Sequence, residues 1–483
     1  MPKSTGVTVS ILLAGILVIL AGIAISLYYG KRAKSAADWL SARESLPLPV
    51  VVITQFAAAA GGGVLVAHVG IAYAKGWAVF VYELCVCAGF VLLALLAKWL
   101  RANGFSTLPD VLARLYGNDR TLATLAGLAA LFLPFGWVCT QFSAFASLFG
   151  QVTGYPKAVL VAVILIGSVA FVLPGGLTSV AWTDFFFGIV KIVLALGLAG
   201  YCVHLAGGWH SIVTRVPAGF TDPSSMGRAG QEQIWLWIAA IIPSTLSNQI
   251  YFQRVFATKK LGHARLGLVL AGATLLISGV YALLIGLSVR AMKPGLSPES
   301  AAGWLLTQLP PAVLIVFGAF MVAMIVSVSG AALQSSVTSV VGDLKEKVFR
   351  REGTDRSNVS LSRKITVLLA LCAGVVSLFF PSVLAWMVAI YAYSASVLTV
   401  PIFVGYALAK RYPLTPRVAI TAMVAGLGGC AAANIAGTTV PYVVYGLAAS
   451  FCGLIVAFLI ERPRHATGPQ PVVIPAASNV KEN

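Results

Sequence analysis

The chain has 483 residues, 59% of them hydrophobic and 10% charged, with a mean hydropathy of +0.92. Soluble domains carry about 25% charged residues, so this composition excludes an ordinary soluble protein and predicts an all-α polytopic membrane protein. The formal net charge of +18 would suit a nucleic-acid partner, but the charges sit in loops between apolar runs, which excludes that reading.

Hydropathy predicts about thirteen transmembrane helices, over 7–29, 48–74, 77–97, 121–150, 156–174, 180–206, 233–252, 266–289, 312–341, 365–380, 382–408, 418–436 and 440–460. The first run is too long for the apolar part of a signal peptide and leads into Gly30-Lys31-Arg32 without a cleavage pattern, so it stays as a span. In the second span, Ala57–Ala60 are followed by Gly61, Gly62 and Gly63. Each glycine costs a helix about 1 kcal/mol against alanine, so the helix is expected to open here. The competing reading is close packing of a neighbouring helix on small residues. Open backbone at membrane depth survives only against protein or a watery cavity. Beyond the break lies His68, a candidate proton carrier or a hydrogen-bonded structural histidine.

Glu83 in the third span and Lys191 in the sixth are intramembrane charges. A charge at span centre costs about 2.5–3.5 kcal/mol, which marks both as candidates for function. Lys191 is read as neutralising Glu83, holding a substrate carboxylate or carrying a proton; a structural Glu83–Lys191 pair is the plain alternative. Gln141, with Trp137 and Phe142, in the fourth span and Tyr393, with Tyr391 and Ser394, in the eleventh offer aromatic and polar groups to a solute, or simply packing. Pro243–Asn248 interrupts the seventh span with a proline and four polar residues, a second break.

The two breaks divide the chain. Residues 1–30 form an extra N-terminal span and 31–411 a ten-span core, whose halves 48–206 and 233–408 run in opposite orientation. Two further spans occupy 412–461, and 462–483 are expected to be a disordered cytoplasmic tail. Inverted repeats opened by broken helices are a plan of secondary transporters. With the N-terminus outside, 25 of the 33 Lys and Arg face the cytoplasm and seven face out, with Lys191 in the membrane. That asymmetry predicts a multi-pass protein of the cell (plasma or inner) membrane, whose basic loops meet anionic lipid. The seven cysteines have neither disulfide nor metal spacing. No His-Glu-x-x-His, membrane aspartate pair or Gly-x-Ser-x-Gly points to an enzyme. The expected partners are a small-molecule solute and membrane lipid, with no obligate protein partner and no organic cofactor.

Several motifs give the chain a family resemblance. Pro174–Asp184 (Pro-Gly-Gly-Leu-Thr-Ser-Val-Ala-Trp-Thr-Asp), Asn248–Arg254 (Asn-Gln-Ile-Tyr-Phe-Gln-Arg), Ser106–Asp110 leading to Arg114–Gly117, and Pro401–Arg411 together resemble the sodium:solute symporter family, over about residues 30–430. The resemblance implies a LeuT-type 5+5 inverted repeat and secondary active transport of a small solute, usually with sodium. Proton-coupled or uncoupled transport and a transporter-like sensor are the alternatives. Counting back from Asp343, it implies Ser327 and Val328 at the paired hydroxyl positions of a sodium site and Met324 at a carbonyl position. Ala57 and Ala60 fall at its other two carbonyls. The family's second hydroxyl is replaced by Val328, and a polar residue often seen in the opening by Ala59. The candidate sodium ligands are therefore Ala57, Ala60, Met324 and Ser327. Glu83, Gln141, Asn248, Tyr251 and Tyr393 are the candidate solute ligands, and His68, Asp184, Lys191 and Arg254 are gate or proton-handling candidates. Glu83, ten residues after Tyr73, resembles the sugar-transporting branch; Gly61–Gly63 and Tyr251–Arg254 resemble the choline-type branch.

Overall fold

In the computed structural model, residues 5–31, 46–102, 105, 107–174, 176–258, 260–348, 355–379 and 382–461 are described. The expected tail at 462–483, Ser106 and Gly175 of the motifs, and most of the basic loop near 350 lie outside them. Apart from a single bridge between Leu46 and Thr258, the described residues show helices and turns with no strand pairing.

Helix α1 (Thr5–Gly30) is the predicted first span. The second span is two helices, α2 (Leu48–Ala59) and α3 (Gly62–Lys75), with the chain opening at Ala60 and Gly61. A short turn leads into α4 (Val79–Ala102). The brief α5 (Leu108–Tyr116) starts from a capping box in which Thr107 N donates to Asp110 Oδ2 at 2.9 Å, so the Thr-Leu-Pro-Asp motif is a helix start. Then come α6 (Arg120–Thr153), α7 (Lys157–Val172), α8 (Gly176–Leu205) and the short α9 (Gly208–Arg215). The seventh span is again double: α10 (Gln231–Leu246) and α11 (Gln249–Phe256). The chain continues through α12 (Leu261–Met292), α13 (Ala301–Gln308), α14 (Pro311–Thr338, running on as a π-helix to Val348), α15 (Asp355–Leu378), α16 (Val383–Ala409), α17 (Pro416–Ala436) and α18 (Tyr442–Glu461).

Among the described residues, ten helical stretches are long and apolar enough to cross a membrane. Length alone therefore counts ten crossings, and the expected thirteen are not confirmed by it. The difference has a physical origin. The two broken helices and α7 are short, and Gly62–Arg101 runs as one stretch through the turn at Gly76–Ala78. Helix α2 packs against α8 and α12, α14 against α1, α6 and α8, and α16 against α10, α17 and α18. The two broken helices thus lie among α4, α6, α8, α12, α14 and α16, where the site is found.

Candidate solute and ion site

The first break is held from both sides. The C-terminal end of α2 leaves carbonyls without intrahelical partners, and two of them, Ala57 O and Ala60 O, accept hydrogen bonds from Lys191 Nζ at 2.9 and 2.7 Å. The start of α3 leaves free N–H groups, and Gly63 N donates to Gln141 Oε1 at 3.2 Å. Gln141 is thus a cap for the broken helix. The glycines serve close approach as well as opening. A Cβ on Gly61 would lie 2.7 Å from Gln141 Oε1, and one on Gly62 would lie 2.3 Å from Ile325 Cγ1. Gly62 and Gly63 are themselves helical, so both readings of the glycine run hold, at different residues.

The second break comes later than its proline. Pro243 sits inside α10, and the helix ends at Leu246. Asn248 restarts the chain, its Oδ1 accepting from Ile250 N at 2.9 Å. Among the described residues its buried Nδ2 has no hydrogen-bond partner.

Two buried charge clusters flank the breaks. In the first, Glu83 (α4) meets His68 (α3), Oε1 to Nδ1 at 2.9 Å, and the Ser278 hydroxyl of α12 donates to the same carboxylate oxygen. The His68 and Glu83 side chains are both 1% exposed. Lys191 bonds the α2 carbonyls, so the Glu83–Lys191 pair, one of the readings left open by the sequence, does not form: the break offers the ammonium two acceptors on a neighbouring helix, and His68 on α3 meets Glu83 instead. In the second cluster Asp184 (α8) accepts from Thr54 Oγ1 at 2.9 Å, Ser327 Oγ at 2.5 Å and Arg254 Nη2 at 3.2 Å. Arg254 also donates to Thr54 Oγ1 (3.1 Å) and Ile250 O (2.8 Å). One fully buried network therefore ties α2, α8, α11 and α14 together. Thr107 Oγ1 donates to Asp343 Oδ1 at 2.6 Å and Leu108 N to Gln249 Oε1 at 3.1 Å, which anchors α5 to the same region.

Between the clusters stand aromatic rings. Tyr251 is fully buried, with ring centroids 6.0 Å from Trp137 and 4.7 Å from Phe90; Trp137 is 6.1 Å from Tyr391, and His68 is 4.6 Å from Tyr82. Tyr393 is placed elsewhere. Two residues along a helix turn the side chain by about 200°, so Tyr391 faces the cluster, while Tyr393 lines a cavity of about 1090 Å³ with Phe132, Trp386 and Asn434, whose Nδ2 donates to Tyr393 Oη at 3.1 Å. Ser278 and Thr54 were missed from sequence, whereas Tyr391 was singled out there beside Tyr393. Thr54 and Gln55, the polar pair in Leu48–Ala60, carried a signal; Ser278 carried none.

A sequence model of the sodium:solute symporter family matches residues 39–426. The chain belongs to that family. Among its relatives are the sodium/myo-inositol cotransporter 2 of Oryctolagus cuniculus, 25% identical over 59% of this chain and 47% of the relative, and the high-affinity choline transporter 1 of Drosophila melanogaster, 24% identical over 78% and 62%. The chain thus spans about half the length of the first of these. A solved sodium-coupled sialic acid symporter in a substrate-bound outward-open state superimposes with a TM-score of 0.79 at 15% identity, covering 95% of this chain and 98% of that one. The LeuT-type fold is thereby shown, and the chain is a multi-pass membrane protein of the sodium:solute symporter family.

The family's sodium site can be tested against the residues here. Ala57 O and Ala60 O are taken by an ammonium. Ser327 turns its hydroxyl to Asp184, Val328 has none to offer, and Met324 is fully buried in α14 one turn before Ser327. With the lysine in place this donor set does not fit a sodium ion.

Proposed function

We propose that the chain carries a small organic solute, neutral or cationic, into the cell by sodium-coupled symport with alternating access. The observation that carries this reading is the pair of helices broken mid-way, α2/α3 and α10/α11, around buried charge and a cluster of aromatic rings. Broken helices of this kind build the central sites of secondary transporters. Family membership and the sodium cotransporters among the relatives support sodium as the coupling ion. The preference for neutral or cationic solutes rests on Glu83, whose carboxylate accepts hydroxyl or ammonium donors, and on aromatic faces, which favour organic cations. The named solutes of the two relatives, myo-inositol and choline, are of these kinds.

The bonds described above suggest what alternation must break. Opening the end at Asp184 parts α2, α8, α11 and α14, and the Asp184–Arg254–Thr54–Ser327 network is what holds them. The two five-span halves, 48–206 and 233–408, supply the two sides of this contact, with α1 and the 412–461 pair packed outside. The cell membrane, with the N-terminus outside, is the orientation favoured by the basic loops.

The test is transport by the purified chain in proteoliposomes. Polyols, amino acids, carboxylates and quaternary amines are first screened by thermal stabilisation, and the stabilising class is then offered with a label. Accumulation above the external concentration, driven by an inward sodium gradient and collapsed by a sodium ionophore, is the expected result. Downhill equilibration alone with every stabilising class would overturn symport.

A further inference from the structure

The end of α2 is a cation site built by the backbone. A helix C-terminus carries the equivalent of about half a negative charge, and here its last carbonyls, Ala57 O and Ala60 O, converge on one point because the chain turns away at Gly61. Lys191 Nζ occupies that point at 2.9 and 2.7 Å. The approach is specific in shape. Gly188 lies one turn before Lys191 on α8, and a Cβ there would strike Ile53 Cγ2 at 2.4 Å and reach Ala57 Cβ at 3.4 Å, so glycine lets α8 come close enough for the lysine to reach. The Phe56 ring, with its centroid 5.9 Å from Nζ, adds a second group that favours a cation. Lys191 itself is fully buried.

An ammonium has three donors and no acceptor, and two of the donors are used on these carbonyls. A free ion at the same point would lie against a like charge in a medium of low dielectric, where repulsion is strong. Lysine and a free cation therefore exclude one another at this position.

We infer that Lys191 is the resident cation of the broken helix: its ammonium takes the place of a free sodium ion at Ala57 and Ala60, and sodium that drives transport binds elsewhere in the chain. This goes beyond the transport reading and rests on the helix break and its lysine, not on which solute is moved. A tethered cation pins the end of α2 to α8 without being released, so this contact does not report the sodium concentration.

The experiment counts sodium. The full chain and its Lys191→Ala variant, purified in detergent, are equilibrated with radioactive sodium at increasing concentration, with choline chloride holding ionic strength constant. Removing the ammonium vacates two carbonyls and a pocket for a cation, so the variant should bind one more sodium ion per chain than the parent. An equal or smaller number in a folded variant would overturn the inference. Should Lys191→Ala fail to fold in both sodium and choline, a cryo-EM structure of the parent at saturating sodium decides. Nζ bonded to both carbonyls supports the inference, and an ion between them with Lys191 turned away overturns it. Failure of the transport reading looks different: the parent would show no gradient-driven uptake whatever the sodium count.

Discussion

Glu83 illustrates what a single residue discloses. Its charge inside an apolar span marked it for function, because burying an unpaired carboxylate is costly. Its partners were not legible. His68 precedes it by fifteen residues on another helix and Ser278 follows by 195, and no helical spacing connects either to it. The same holds for Lys191, whose acceptors are backbone atoms that exist only because α2 ends where it does. With Lys191 engaged at the break, Glu83→Gln should leave the lysine undisturbed and the fold intact. It should weaken the bond with His68 and remove the charge a solute donor meets. A charge-assisted hydrogen bond is worth about 1.5–3 kcal/mol, so solute affinity should fall roughly ten- to hundred-fold at 1.4 kcal/mol per decade. Equilibrium binding and melting temperature, measured together, check this. Unchanged affinity would remove Glu83 from the solute site, and a collapse in stability rescued by Lys191→Met would reinstate the ion pair that the structure does not contain.

At the scale of elements, the places where helices begin, end and break were the most legible part of the chain, because they depend on local chemistry. Ala-rich sequence running into three glycines gives the first break, and Asn248, a natural N-cap, fixes the second four to five residues beyond the proline that drew attention. Less legible was the reason for three glycines where one would open a helix. Gly62 is inside α3 and faces Ile325 of α14, so its role is contact distance. Gly62→Ala sets two effects against each other. Alanine favours a helix by about 1 kcal/mol, whereas a Cβ placed 2.3 Å from Ile325 Cγ1 forces overpacking, which costs about 1–3 kcal/mol. The clash should win, and Gly62→Ala should lower the melting temperature. Trimming the neighbour with Ile325→Ala in the same chain should recover part of the loss, giving a favourable coupling of about 0.5–3 kcal/mol in a double-mutant cycle. Additive effects of the two changes would mean that Gly62 does not meet Ile325.

For the whole molecule, the sequence carried the class, the family and the order of helices, since apolar length and motif order are properties of the chain itself. The number of crossings is not settled by helix length, because the site requires helices too short or too interrupted to meet a length criterion. Sidedness lies between these. The loops that charge asymmetry assigns to one side do gather at one end of the fold: Tyr73 Oη donates to Lys293 O and accepts from Leu296 N, and Lys75 Nζ donates to Ala229 O. At the other end Leu46 N donates to Ala257 O, Arg101 Nη1 to Thr258 O and Thr107 Oγ1 to Asp343 Oδ1. The grouping is internal to the protein, whereas which end faces the cytoplasm depends on the excess of lysine and arginine around the second group. Single cysteines test it, in a background where the exposed Cys372 and Cys452 are replaced by serine. Ser224 and Ser297, exposed at the first end, should react with a membrane-impermeant maleimide in intact cells. Ser357, exposed near the second, and Ser35 in the first basic loop should react only after permeabilisation. The reverse pattern would invert the protein in the membrane while leaving every contact described here in place. Labelling of Ser224 and Ser297 from opposite sides would be the graver result, because no rigid arrangement of these helices places Ala229 beside Lys75 and Leu296 beside Tyr73 with a bilayer between the two loops.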